Sequence, residues 1–427
     1  MSTNDLPLNF STTEHDAPVT TGALGGAEYT ESELFMLEID RAVKVYYSLV
    51  LVSVGTVFNI LSILVLNRTA FRHSTTSVYL RFLACIDMFV LYNGLSRHFV
   101  SGISNYNIRY LSNSFCKFNQ WSSSFAPDIS AWILVAVTTE RVMSIIWPHK
   151  VRVMCSRVKA GVVVTVISVV IMAANLHLMF FYGNKETFDP AANRTAESLC
   201  VLLEPGYESF MSDVWYWLDL LKFVLLPSSI LIIFNILIVI FVIRSRRRVE
   251  KIMTRAPALG RSSASALSAG RAEVRTTEPT QLSTSSVYNR RVNGPNKEVS
   301  LTLTLLAINA TFVICNTPIM VYLLGSERWF PPGFSPAERL TLTAAVMAMY
   351  TNNAANFLLY CATGSRFRAE TRHMFLSLRH RSLASGSRAM RDSTGSDNGK
   401  NFRLEEQLAT ALGSRDTFCT EHSKVYY

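Results

Sequence analysis

Residues 138–148, Thr-Thr-Glu-Arg-Val-Met-Ser-Ile-Ile-Trp-Pro, place an adjacent carboxylate and guanidinium, Glu140 and Arg141, at the end of a long apolar run. Other polar side chains lie within such runs: Asn59, Asp87, Ser130, Asn352, Asn353 and Asn356, and also Asp128, Asp219 and Lys222. Each would be costly to bury in lipid, so each is a functional candidate. Carboxylate, hydroxyl and amide oxygens together suit a small hard cation. Two readings of Asp87, Ser130, Asn352 and Asn356 therefore stand side by side: a sodium site and a hydrogen-bonded structural network. Asp219 and Lys222 are three residues apart and can pair on one helix face. Arg97 and His98 either line a water-filled pocket or reach outward to headgroups.

The elements that must position these groups are membrane helices. The chain has 427 residues, of which 49% are hydrophobic and 17% charged. Seven stretches are long enough to cross a bilayer: about 45–66, 77–98, 119–146, 160–183, 214–243, 299–325 and 339–361. A helix rises about 1.5 Å per residue, so about 20 apolar residues span the hydrocarbon layer. The backbone must satisfy itself there, which selects helices. The expected fold class is an all-α membrane protein. It is a seven-transmembrane helix bundle over 45–363, with a short amphipathic membrane-surface helix over 364–378 after the seventh crossing. Residues 1–44, 244–298 and 379–427 read as an unstructured amino terminus, a flexible loop and a disordered tail.

Charge sets the expected orientation. Residues 1–40 hold eight Asp/Glu and no Lys/Arg, whereas 244–298 hold twelve Lys/Arg against four Glu. Positive loops stay cytoplasmic, so the amino terminus is outside, in the plasma membrane, and the tail inside. Residues 1–44 hold no apolar signal-peptide core, so the first crossing is expected to direct insertion. The net charge of +10 then reflects loops facing anionic membrane lipid, with no nucleic-acid partner. Asn9 and Asn193 begin glycosylation sequons that fall outside. Of seven cysteines, only Cys116 and Cys200 lie on the oxidising side; they form one disulfide or remain two exterior thiols. Cys361 and Cys419 are candidates for acylation.

In order along the chain stand Gly55-x-x-x-Asn59, Leu83-Ala84-Cys85-Ile86-Asp87, Cys116, Glu140-Arg141-Val142, Cys200, Pro227, Phe312 with Cys315-Asn316-Thr317-Pro318, and Asn356-Phe357-Leu358-Leu359-Tyr360. Together they resemble the rhodopsin-like G-protein-coupled receptors, over residues 45–378. The resemblance implies an activation switch. Arg141 is held at rest by Glu140 and by Glu298, twenty residues before Pro318, and is then released toward a heterotrimeric G protein. Pro227, Phe312, Pro318, Asn356 and Tyr360 would belong to the same relay. It implies no enzymatic activity, and no hydrolase or kinase constellation is visible. Arrestin and receptor kinases are the expected partners of the Ser-rich tail. Asn316, Phe357, Thr165 and Asn235 depart from the family pattern, and in this the chain is similar to divergent invertebrate receptors of the FMRFamide and neuropeptide group.

Residues 339–361 contain no Lys, which excludes a retinal Schiff base, and Ser123 stands where amine receptors of the family carry Asp. Residues 184–213 carry six Asp/Glu and two Lys/Arg, a field that favours a basic ligand. The expected ligand is a short peptide, with Arg97, Ser123, Asp128, Asp219, Ile319, Tyr322 and Tyr350 as pocket residues. The alternatives are a non-peptide small molecule, or a decoy that binds without coupling. A transporter is disfavoured by the odd number of crossings and the lack of an internal repeat. Replacing Glu298→Ala is expected to raise ligand-free signalling severalfold, read as G-protein activation in cells at matched surface level; unchanged basal output would count against the Glu298 contact.

Overall fold

The computed structural model describes residues 29–147, 155–189, 194–244, 247, 284–330, 335–377 and 379. Asn9, Asn193, Cys419, the tail beyond 379 and the side chain of Glu298 lie outside the described residues. Residues 1–370 form one unit and 371–427 another. The first unit holds seven long helices: α1 (Glu31–Leu66), α2 (Thr75–Ser104), α3 (Asn113–Ile146), α4 (Arg157–Ala174), α5 (Pro205–Arg244), α6 (Thr284–Trp329) and α7 (Pro336–Thr363). Six of them carry a stretch apolar enough to cross a membrane. In α7, Asn352, Asn353 and Asn356 lower the hydropathy of a helix that is still 28 residues long. The fold is a seven-helix membrane bundle. A further helix, α8, starts at residue 365 and continues in the second unit to 377.

Two helices begin more than ten residues earlier than hydropathy implies. The helix α1 starts at Glu31, so the unstructured segment expected up to residue 44 does not extend over 31–44. A capping box explains the start: Thr30 and Glu33 satisfy each other's backbone N–H groups. The polar Asp40 and Lys44 then pair with each other at 3.1 Å, and Thr343 donates to Asp40 at 2.6 Å, so their burial beside α7 is compensated. The helix α6 starts at Thr284, within the loop expected over 244–298. Gly294 and Pro295 favour loop locally, but extending a nucleated helix is far easier than starting one.

The segment after α4, for which no regular element was expected, is a hairpin. Strands β1 (Tyr182–Asp189) and β2 (Arg194–Leu202) pair antiparallel. The ladder is irregular between Gly183 and Lys185, and there the Asn184 side chain accepts from the Cys200 N–H at 3.2 Å. Cys200 has φ +55°, a left-handed backbone that turns its side chain toward α3. The Cys116–Cys200 disulfide, with Cα atoms 5.5 Å apart, joins the hairpin to the start of α3. Cys116, Leu178, Tyr182 and Met211 are buried around it.

Prolines interrupt the backbone ladder of two helices. The π-turn Leu221–Leu225 in α5 comes directly before Pro227, which has no N–H to give. Within that widened turn the Lys222 carbonyl accepts from Trp132 Nε1 at 3.0 Å, tying α3 to α5. Pro127 also lies inside α3, where it gives no N–H to the ladder, and the α-helix continues through it. Close packing on the other side depends on Gly55 of α1. A Cβ there would lie 2.5 Å from Leu91 Cδ1 and 3.1 Å from Ala354 Cβ. Gly55→Ala is therefore expected to destabilise the bundle by about 1–3 kcal/mol through overpacking. The measurement is a lower thermal-unfolding midpoint of the detergent-purified protein.

Candidate functional site

The buried polar side chains gather into separate groups, each shared between helices. Asp87 on α2 is fully buried. Ser130 Oγ on α3 and Asn353 Nδ2 on α7 donate to its Oδ1 at 2.7 and 2.8 Å, and Asn356 Nδ2 on α7 donates to its Oδ2 at 2.7 Å. Asn59 on α1 extends the group by donating to the Asn353 carbonyl at 3.0 Å. Three of the four expected cation-site residues therefore meet. The fourth, Asn352, does not bond to Asp87; Asn353 does instead. Residues 352 and 353 are about 100° apart around α7 and flank Asn356 on its two sides, so the rotation of α7 against α2 decides which of them meets Asp87. The group leaves oxygens in hand: Asn59 Oδ1, Asn352 Oδ1 and Asn356 Oδ1 are buried without a hydrogen-bond partner. A buried carboxylate with unspent amide oxygens around it fits the chemistry of a hard cation.

A second group lies between α3, α4 and α5. Lys222 Nζ is bound by both Asp128 and Asp219. Asn175, at the end of α4, donates to Asp128 Oδ2 at 3.2 Å and accepts from Lys222 at 3.3 Å. The Lys222 ammonium also lies 5.0 Å from the centre of the Trp215 ring. A third group runs across α2 and α3, where Asn93 donates to Ser123 at 3.0 Å and accepts from Asn119 and Ser122, each at 3.1 Å.

At the other end of α3, Glu140 is buried and accepts from Thr75 Oγ1. Arg141 Nη2 donates to Thr76 Oγ1. Both hydroxyls belong to the first turn of α2. The pair is thus seated on a neighbouring helix by two threonines that no spacing rule singled out.

A family model described as 7 transmembrane receptor (rhodopsin family) matches residues 58–360, well over half of the chain. The chain belongs to the rhodopsin family of seven-transmembrane receptors. No curated relative matches it.

The remaining candidate residues of the receptor fall into smaller groups. His98 is buried on α2 with its ring 6.0 Å from that of Tyr350 on α7, and Arg97 lies beside it. Tyr322 on α6 donates to Glu338 on α7 at 3.1 Å, and Ile319 is fully buried. Phe312 and Tyr360 are buried as well. The receptor's departures from its family have structural partners. Asn316 donates to the Phe312 carbonyl one turn back at 2.8 Å. Phe357 stacks on Phe58 at 5.4 Å and meets Phe367 of α8 at 5.6 Å, so an aromatic contact stands where the family has a proline. Asn235 on α5 accepts from Asn309 on α6 at 2.8 Å, and Asn309 also donates to Thr138 on α3 at 3.1 Å. That triad was missed at the sequence level, although Asn309 was visible as a polar residue within the sixth crossing.

The hydrogen bonds to Asp87 separate two neighbouring asparagines. Asn353→Ala strips a donor from a buried carboxylate and is expected to cost about 1–3 kcal/mol. Asn352→Ala is expected to cost less, since its Oδ1 has no partner to lose. Thermal unfolding of the two purified variants, side by side, checks the order.

Proposed function

We propose that this receptor detects a short basic peptide outside the cell and passes the signal to a heterotrimeric G protein inside. The observation that carries the reading is the division of labour along α3. One end is tied by the disulfide to a hairpin next to an acidic surface, and the other presents the Glu140–Arg141 pair against α2. Between them lie the pocket groups around Asp128 and Ser123. The amino terminus is outside and the plasma membrane is the site of action, as the loop charges support. In this reading Asn9 and Asn193 are glycosylated, and the tail recruits receptor kinases and arrestin.

Activation is a change between two packings of the bundle, which a ligand biases by binding them unequally. In the resting packing Arg141 and Glu140 are engaged with α2, and Glu298 supplies a further acid from α6. A sodium ion, when bound, would add a positive charge at mid-bundle; Asp87, Ser130 and Asn356 would hold it. The protein groups do the rest. Asp87 joins α2 to α3 and α7, and Asn309 joins α6 to α3 and α5, so helix movement must rearrange both. The acidic outer surface and the chain's family departures support a peptide of the FMRFamide-like class. Asn316 and Phe357 favour a second reading, a decoy that binds ligand without coupling.

The test is expression in cultured cells with a library of short amidated peptides, recording G-protein activation for the wild type and Arg141→Ala. The expected result is a saturable response to a basic peptide, reduced at least tenfold in Arg141→Ala at equal surface level and with binding retained. Peptide binding with no G-protein response in the wild type would establish the decoy reading instead.

A further inference from the structure

The cluster between α3, α4 and α5 does not balance its charge. Asp128 and Asp219 supply two carboxylates and Lys222 one ammonium. Among the described residues, no other Lys or Arg pairs with either acid. The side chain of Asp128 is 2% exposed, and its Oδ2 is held by both Lys222 and Asn175. The side chain of Asp219 is 18% exposed, and among the described residues its one hydrogen bond is to Lys222. Asp219 is thus the acid with the more exposed side chain and the fewer hydrogen bonds. A surplus charge in a poorly solvated setting is strongly stabilised by a cation of the right reach.

The walls have the same preference. Trp215 presents its ring to the Lys222 ammonium, and the His177 ring packs against Trp215 with centroids 4.0 Å apart. Aromatic faces favour cations, planar guanidinium above all. Two π-turns, Met211–Trp215 and Leu221–Leu225, bracket the segment that carries Asp219 and set Trp215 and Lys222 around it. Such turns are irregularities that recur at functional sites.

We infer that Asp219, backed by the Lys222–Asp128–Asn175 network and walled by Trp215, is the subsite for a guanidinium or amine group of the ligand. Lys222 remains on Asp128 and keeps that deeper acid neutralised. The incoming cation pairs with Asp219 and brings the cluster to charge balance. A carboxylate accepts a guanidinium through two parallel hydrogen bonds, so an arginine side chain is the best-matched group. This rests on the reading of the protein as a receptor for a basic ligand, and it names the group that the pocket selects.

The experiment uses the purified full-length receptor in detergent and two probes, both acetylated at the α-nitrogen: argininamide and its neutral isostere citrulline amide. Thermal unfolding is followed while each probe is titrated. Argininamide is expected to raise the unfolding midpoint of the wild type and citrulline amide to leave it unchanged. In Asp219→Asn the apparent affinity for argininamide is expected to fall at least tenfold, and in Asp219→Glu to recover. Without any probe, Asp219→Asn is expected to melt no lower than the wild type, because it removes the surplus charge. Lys222→Met is expected to melt lower, because it leaves two acids unpaired. An ion network with a purely structural role would instead lose stability in Asp219→Asn. No argininamide response in the wild type, an equal response to citrulline amide, or an undiminished response in Asp219→Asn would overturn the inference. The readout is binding, so loss of G-protein coupling with argininamide binding intact would count against the signalling proposal alone.

Discussion

A hydrocarbon layer supplies no hydrogen-bond partners, so every polar group carried into it must be satisfied by the protein itself. That constraint organises this bundle. Asp87 is met by donors from α3 and α7, Asn309 by partners on α3 and α5, and Asp128 by groups from α4 and α5. Each of these three residues, which a single helix cannot satisfy, becomes a contact between helices. The same contacts make the bundle responsive, since moving one helix strands a buried partner on another.

The helix α3 is where these contacts converge. Its start is tied to β2 by the disulfide, its middle meets α2, α4 and α5 through Ser130 and Asp128, and its end reaches α2 through Glu140 and Arg141. A ligand that shifts balance at the Asp128 cluster acts on the same rigid element that carries Arg141 about 20 Å away along the helix. The coupling needs no separate wire. It needs an element with two packings and a ligand that favours one.

The departures from the family pattern are also consistent with this account. Where a proline would break α7, Phe357 joins an aromatic contact with Phe58 and Phe367. Close by, Arg368 Nη1 donates to the Cys361 and Ala362 carbonyls at 2.9 and 2.7 Å, closing the end of α7. Where a tyrosine would stand on α5, Asn235 joins α6 through Asn309. That end of the bundle is thereby held by amide and aromatic contacts at positions where the sequence departs from the family pattern.

Much of this was legible in the residues alone. Length and hydropathy mark six of the seven crossings, because a bilayer has a limited thickness and a helix one rise per residue. Cysteine position left Cys116 and Cys200 as the candidates for a disulfide, which the structure forms, and the ordered motifs singled out Asp87 for a buried polar group and Arg141 and Tyr360 for an expected switch. Local rules failed where the decision lay across space. Whether Asn352 or Asn353 serves Asp87 depends on how α7 is rotated against α2, which only packing decides. Thr75 and Thr76 became the seats of Glu140 and Arg141 because α2 happens to start beside the end of α3. Asp219 was visible as a charge, but its surplus was not: a charge balance is a property of what meets in the folded chain, and Asp128, Asn175 and Lys222 come from three different helices.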